Sequence, residues 1–301
     1  MIQFDTIQDA IAAIMHDFGA TVLKDTPRFI AILSDYAPNL REAQLRIRAF
    51  ARVGGISALI ERISNNSDYC IILESICIFT VRASNNFDDQ LKMVSIIKPL
   101  MNVLSPKTLN APEPFDVFTK GLEYYRRFPK QENIPISLLL FEEAFQTGNI
   151  EALLYLSSSF LKGKGVDQDI EKGIWYLSLA VEKQNSKAII ELADYYRKGI
   201  YVDKNIPLAI SLLKKTSEPN AMYLLGEIYR DNYEYDTAFK YNLIAAEGNN
   251  VYAQYNTALA YAIGQGIKRD VQEAKRWLRS AASLGHSDAR RKLEELGEKW
   301  D

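Results

Sequence analysis

The stretch from Ala253 to Ala289, AQYNTALAYAIGQGIKRDVQEAKRWLRSAASLGHSDA, decides the fold of this chain. Ala253, Thr257 and Tyr261 stand four residues apart, and Ala274, Trp277 and Ala281-Ala282 follow at spacings of three and four. Such spacing places side chains on one face of an α-helix. Between the two periodic runs lie Gly264 and Gly266, which readily adopt the left-handed backbone that ends a helix. Asp270 then stands where a carboxylate accepts from the orphan N–H groups of the next helix. The stretch reads as helix, turn, helix.

The same order returns upstream. Alanines at 152, 188, 221, 253 and 289 open similar blocks, spaced 36, 33, 32 and 36 residues apart, and a period in this range marks stacked helical pairs. Ala188, Leu192, Tyr196 and Ala221, Leu225, Tyr229 repeat the first helix. In block 152 to 187, Gly163-Lys164-Gly165-Val166, Asp169 and Tyr176 are in register. Block 188 to 220 keeps Gly199 but carries Tyr201 for the second glycine, Asn205 for the capping aspartate and Thr216 for the first paired alanine. Block 221 to 252 has a shortened turn, with Glu234 or Asp236 expected as its cap. Further upstream, Leu140, Ala144, Gly148 and Asn149 read as a second helix, while Gly121 and Tyr124 match Gly226 and Tyr229. A degenerate first repeat is therefore expected at about 112 to 149, with Pro129 and Pro135 in its loop. Residues 289 to 301 are expected to close the array with a polar helix, since a terminal repeat has one face in water.

An Ala…Leu…Tyr helix, a Gly-x-Gly-Val/Ile…Asp loop and an Ala…Trp…Ala-Ala…Gly helix together resemble the Sel1-like repeat, a relative of the tetratricopeptide repeat. The resemblance is most specific at 253 to 288 and good at 152 to 187. It implies a right-handed α-solenoid and a protein–protein interaction role, often in bacterial signalling or stress pathways, without naming a partner.

Residues 1 to 108 lack the repeat but are helical in pattern, with expected helices at Thr6 to Phe18, Thr26 to Ala37, Asn39 to Val53, Gly55 to Ser64, Asp68 to Arg82 and Phe87 to Leu104. Thr26 before Pro27 reads as an N-cap followed by proline at the first helical position, and Pro38 ends what precedes it. Gly54-Gly55 and Asn65-Asn66 break the periodic segments. Prolines at 106, 112 and 114 suppress helix and mark a boundary. The expected organisation is all-α: an N-terminal helical bundle at 1 to 108, a linker at 109 to 114, and a repeat solenoid at 115 to 301.

Composition excludes several functions. Net charge is −2, and basic and acidic residues balance at 11 and 11 over the first 111 positions. Neither part has the basic excess of a nucleic-acid or anionic-membrane binder. No apolar run reaches the roughly 18 residues of a membrane span, and the start has no basic signal-like region, so a cytoplasmic protein is expected. Cys70 and Cys77 lie seven apart on one expected helix, about 10 Å along its axis, beyond disulfide reach.

The search for catalytic chemistry finds little. His16 and His286 are the only histidines, and neither has a partner at metal-ligand or general-base spacing. Gly163-Lys164-Gly165 lacks the spacing and the following Ser or Thr of a P-loop, and two helices flank it. The pairs Glu142-Glu143 and Glu294-Glu295 are adjacent on helices and point apart. A non-catalytic protein without metal or cofactor is expected.

What remains is surface. If the first helix of each unit lines an inner wall, the positions two before the leucine-like residues face the groove, and these are Phe118, Leu154, Ile190, Tyr223 and Tyr255. Asp194, Arg197, Glu227, Arg230 and Leu259 lie beside that stripe. The expected function is an adaptor or scaffold that takes a peptide or helix of another protein, with apolar anchors supplying affinity and charges selecting the partner. Tyr233, Tyr235, Tyr241 and Tyr252 suggest a second contact surface. Two other readings stay open: an immunity or inhibitor protein that neutralises a toxin or enzyme, and an N-terminal bundle with a ligand or enzymatic site where Asp35, Arg41, Glu42, Arg46 and Arg48 converge. A homodimer is compatible with each.

Overall fold

The computed structural model describes residues 6–18, 20–64, 69–98, 114–126 and 133–297. Its regular elements are helical throughout. In chain order they are α1 Ile7–Phe18, a 3-10 turn Ala20–Lys24, α2 Thr26–Tyr36, α3 Arg41–Arg52, α4 Gly55–Ser64, α5 Tyr69–Ala83, α6 Phe87–Ile97, α7 Pro114–Arg126 and α8 Asn133–Gln146. The repeats follow as α9 Ala152–Lys162, α10 Ile170–Glu182, α11 Ser186–Lys198, α12 Ile206–Leu213, α13 Pro219–Asp231, α14 Tyr235–Glu247, α15 Val251–Ile263, α16 Val271–Ser283 and α17 Ser287–Glu295.

The chain divides into two compact units, Met1–Tyr176 and Leu177–Asp301. The segment expected as a linker lies outside the described residues except for Pro114, the first residue of α7. Pro129 of the expected first-repeat loop also lies outside them.

In the first unit, Ile11, Ile14, Phe29, Leu33, Ile47, Phe50, Leu59, Ile72 and Ile76 are fully enclosed. Apolar residues at helical spacing on each short helix put those side chains on one buried face. The cap of α2 is Asp25, whose carboxylate accepts from the Arg28 N–H at 3.2 Å; Thr26 is already helical, one residue later than a cap would be. Helices α5 and α8 also meet through charge. Glu143, only 6 % exposed, accepts from the Lys98 ammonium and from the Tyr69 hydroxyl. Glu74 accepts from the Tyr124 hydroxyl and pairs with Lys120 at 3.4 Å. Burial, with the Glu143 carboxylate beside it, pushes the Tyr69 hydroxyl well above the usual phenol range.

In the repeats, the opening alanines 152, 188, 221, 253 and 289 are all fully buried, which explains why a small residue recurs there. The residue three positions before four of them accepts from the alanine's backbone, and in the last three of these it is the N-cap of the helix. Asn149, Asn185, Asn250 and His286 each accept from the alanine's N–H, at 3.3, 3.0, 2.8 and 3.4 Å. Asn250 also donates to Asn220 at 2.8 Å, tying the residue that caps α15 to the first turn of α13. Replacing Asn250 by Ala should cost about 1 kcal/mol or somewhat more, read as a lower urea midpoint at unchanged slope. An unchanged midpoint would mean that water replaces the cap fully.

The turns follow the sequence where glycine is present. Gly163, Gly165, Gly199, Gly264 and Gly266 have φ between +66° and +76°. Asp169, Asn205 and Asp270 cap the second helices, accepting from Lys172, Leu208, and both Gln272 and Glu273 respectively. Where glycine is missing, the backbone keeps the same conformation: Tyr201 and Tyr233 both sit at φ +63°, a left-handed backbone that costs a non-glycine residue about 1–2 kcal/mol. The shortened third turn has no side-chain cap. Glu234 occupies the N-cap position of α14 without a side-chain hydrogen bond, and Asp236 is already in the first helical turn.

Candidate functional site

Within the second unit, α11, α13 and α15 carry the residues expected to line a groove. Asp194 on α11 accepts from Arg197 at 2.6 and 2.9 Å and pairs with Lys198. On α13, Glu227 accepts from Arg230 at 2.7 Å and from Asn256 of α15 at 2.9 Å. Asn256 was not foreseen as a wall residue. Its spacing of one from Tyr255 was the available signal, and only the crossing of α13 and α15 gives it a partner.

The aromatic positions are half-buried. The Tyr223 ring lies 6.0 Å from that of Tyr252, and the Tyr255 ring stacks on His286 at 4.4 Å with 19° between planes. Tyr252 makes an edge contact with the same imidazole at 5.7 Å and is 59 % exposed. Partial burial raises the Tyr223 hydroxyl pKa, helped by Glu227 and opposed by Arg230 and Arg197. Tyr255 is raised by burial and by Asp288. Ile190 and Leu259 are half-buried as well.

Beside this face, Tyr235, Phe239, Leu259 and Ile263 line an apolar notch of about 120 Å³, with Arg230 and Asn256 at its edge. Its size suits one aliphatic side chain, the kind of anchor pocket on which binding energy concentrates. Ile263 is 68 % exposed.

The two expected groove residues of the first unit behave differently from each other. Leu154 is half-buried. Phe118 is 5 % exposed, its ring packed against Phe141 at 5.6 Å and Tyr155 at 5.7 Å; two neighbouring aromatics close over it, so it is a core residue and offers no contact surface. The proposed tyrosine surface also divides. Tyr233 is 78 % exposed, while Tyr241 stacks on Tyr229 at 5.4 Å inside the repeat.

The other singled-out residues fall as follows. His16 is exposed and bonds Asp17 at 2.9 Å. The Lys164 ammonium sits 3.5 Å from the centre of the Tyr125 ring, a cation–π contact that turns it to the side of its loop. Neither Cys70 nor Cys77 forms a disulfide, and burial pushes the thiol of Cys77 far up. The five polar residues of the N-terminal bundle do not converge on one point. Arg46 bonds Glu42 at 3.2 Å and Asp89 at 3.0 Å, whereas Arg41 and Arg48 face a different pocket with Ser34.

Helix pairs with alanine-sealed joints, glycine turns and capped second helices define an all-helical repeat protein. The Sel1 repeat family model matches at residues 150–185, 186–218, 219–250 and 251–286, so this part of the chain carries four Sel1 repeats. A solved Sel1 repeat protein from Oxalobacter formigenes superposes with a TM-score of 0.55 at 20 % identity, covering 70 % of this chain and 89 % of that one. A protective antigen of uropathogenic Escherichia coli displaying an SLR fold gives 0.55 at 15 % identity, over 80 % and 53 %. Among curated proteins, an uncharacterised protein of Neisseria meningitidis is 28 % identical over 56 % of this chain and 43 % of its own. An exopolysaccharide production negative regulator of Rhizobium leguminosarum bv. viciae is 26 % identical over 58 % and 59 %. The chain thus spans less than two thirds of the length of either curated relative. Sel1-repeat proteins generally mediate protein–protein interaction. No described helix is long and apolar enough to cross a membrane.

Proposed function

We propose that this protein is a non-catalytic adaptor or scaffold whose second unit receives a peptide or helix of a partner protein along α11, α13 and α15. The observation that carries this reading is the state of the wall. Ile190, Tyr223, Tyr255 and Leu259 are only half-buried, so the neighbouring helices of the unit leave apolar surface uncovered. Beside them the charged residues are held in fixed pairs, Arg197 on Asp194 and Arg230 on Glu227. Pairs of this kind, partly open to solvent, add little stability but orient an incoming polar backbone or side chain. The notch at Leu259 and Ile263 takes one apolar anchor of the partner.

The test uses the intact protein and a Tyr223→Ser/Tyr255→Ser variant as baits in native lysate, followed by binding of any captured protein after purification. The expected result is a partner held by the intact protein whose affinity falls roughly tenfold or more with the variant, while the melting temperature drops by only a few degrees. Equal affinity for both baits, or loss of folding in the variant, would show that the tyrosines do not serve as a binding surface.

A further inference from the structure

We propose that the amino-terminal helices carry an anion site for a phosphate monoester, set between the end of α2 and the start of α3. An open pocket of about 290 Å³ lies there, lined by Ser34, Pro38, Arg41, Gln44, Leu45 and Arg48. Arg41, Gln44 and Arg48 stand at spacings of three and four on α3, so one helix face presents all three to the same space.

The charge on this face is not neutralised. Arg48 is half-buried, and its one described hydrogen bond runs from its guanidinium to the hydroxyl of Ser34 at 2.6 Å. Ser34 in turn donates to the Ile30 carbonyl at 2.9 Å, so a neutral hydroxyl locked by its own helix fixes the guanidinium in place. The Arg48 Nε is enclosed without a hydrogen-bond partner. Arg41 makes no ion pair or side-chain hydrogen bond among the described residues. The acids nearest in sequence do not serve either arginine: Glu42 bonds Arg46, and Asp35 is not part of the lining. Arg46, two residues before Arg48, is by contrast paired with Glu42 and with Asp89 of α6, although its Nε is likewise enclosed without a hydrogen-bond partner.

An enclosed cationic donor with no acceptor is costly unless an anion arrives. Two guanidinium groups on one pocket match the geometry of a tetrahedral oxyanion, each offering parallel N–H donors to two oxygens. The N-cap of α3 is Leu40, which has no side-chain hydrogen bond to give, and the positive end of the helix dipole adds to the same field. Gln44, 7 % exposed, donates to the Ala37 carbonyl, which holds the pocket floor. Leu45, 55 % exposed, and Pro38 supply an apolar edge for the carbon side of an ester. A dianionic monoester fits two unpaired arginines better than a monoanionic carboxylate, which one fork would satisfy.

The test is isothermal titration of the full chain at low ionic strength with inorganic phosphate and with glycerol 1-phosphate, against acetate at matched ionic strength. Vesicles of phosphatidylcholine with and without phosphatidic acid distinguish a lipid headgroup from a soluble ester. The site predicts saturable binding of the phosphate species, weakened roughly tenfold by Arg41→Gln and by Arg48→Gln and left alone by Arg62→Gln, which removes the same charge from α4. Arg48→Lys should bind at an intermediate level, since it keeps the charge and loses the fork. Arg41 is exposed, so its variant tests the site even if Arg48→Gln unfolds. Absence of phosphate binding, an equal response to acetate, or an equal loss with Arg62→Gln would each overturn the proposal.

Discussion

A Gly266→Ala protein is expected to lose about 3–5 kcal/mol of stability, the largest effect of a Gly→Ala change among the described glycines. Two separate causes combine. Gly266 has φ +71°, which an L side chain adopts at a cost of about 1–2 kcal/mol. A Cβ there would also stand 2.2 Å from the Tyr235 carbonyl oxygen and 2.9 Å from the Asp236 nitrogen. Both are main-chain atoms at the start of α14 and cannot swing aside as a side-chain tip would. Gly264, two residues earlier, is the control: it has φ +75°, but its added Cβ would meet Arg269 Cβ at 3.3 Å, so Gly264→Ala should cost only the backbone strain plus a small adjustment. Urea unfolding of both variants decides the matter. Equal losses would mean that conformation alone, and not the close approach, selects glycine at 266.

Lys98→Met is expected to cost about 3 kcal/mol at neutral pH. The substitution removes the ammonium that meets the Glu143 carboxylate, and Glu143 is 6 % exposed. Among the described residues, the carboxylate would keep only the Tyr69 hydroxyl, at 3.3 Å. An enclosed charge with one neutral partner is worse than either a complete pair or no charge. The double variant Lys98→Met/Glu143→Leu should therefore recover much of the loss, because apolar groups of similar volume do not need the pair. Additive losses in the cycle would show that the two groups contribute independently. Because the pair joins the end of α6 to α8, the variant should also weaken the hold between the amino-terminal helices and the first helical pair.

The repeats were legible because their constraints are local. A buried alanine, a left-handed glycine and a capping carboxylate each depend on neighbours within a few residues, so spacing alone reveals them. The helices of residues 6 to 97 were legible for the same reason, most ends shifting by one or two residues, as at Arg41 and Arg52, whereas the helix expected at Phe87 to Leu104 ends at Ile97, with residues 99 to 104 outside those described. The cap of α14 was misjudged because Glu234 and Asp236 have the right chemistry and only the backbone decides that neither side chain turns back. The candidate face was half legible. Counting from the leucine-like positions leads to Ile190, Tyr223 and Tyr255, which are half-buried, but the same count leads to Phe118, which lies in the core. Phe141 and Tyr155 close over that ring, and no periodicity announces which neighbour will be large enough to do so. Asn256 and His286 were missed as partners of Glu227 and Tyr255 because those contacts join residues 29 and 31 apart in sequence.

The contact between Gly266 and the Tyr235 carbonyl joins a bare Cα on one repeat to a peptide group on the one before it. Neither party is a side chain, so the fit does not register which amino acids the earlier repeat contains. A joint of this kind is generic. During the history of such a gene, a unit can be duplicated or deleted without a matching substitution at this seam, provided the glycine travels with its loop. A side-chain link such as that from Asn256 to Glu227 carries the information about which copy stands next to which, and it is the kind of position where a newly inserted copy would have to adapt.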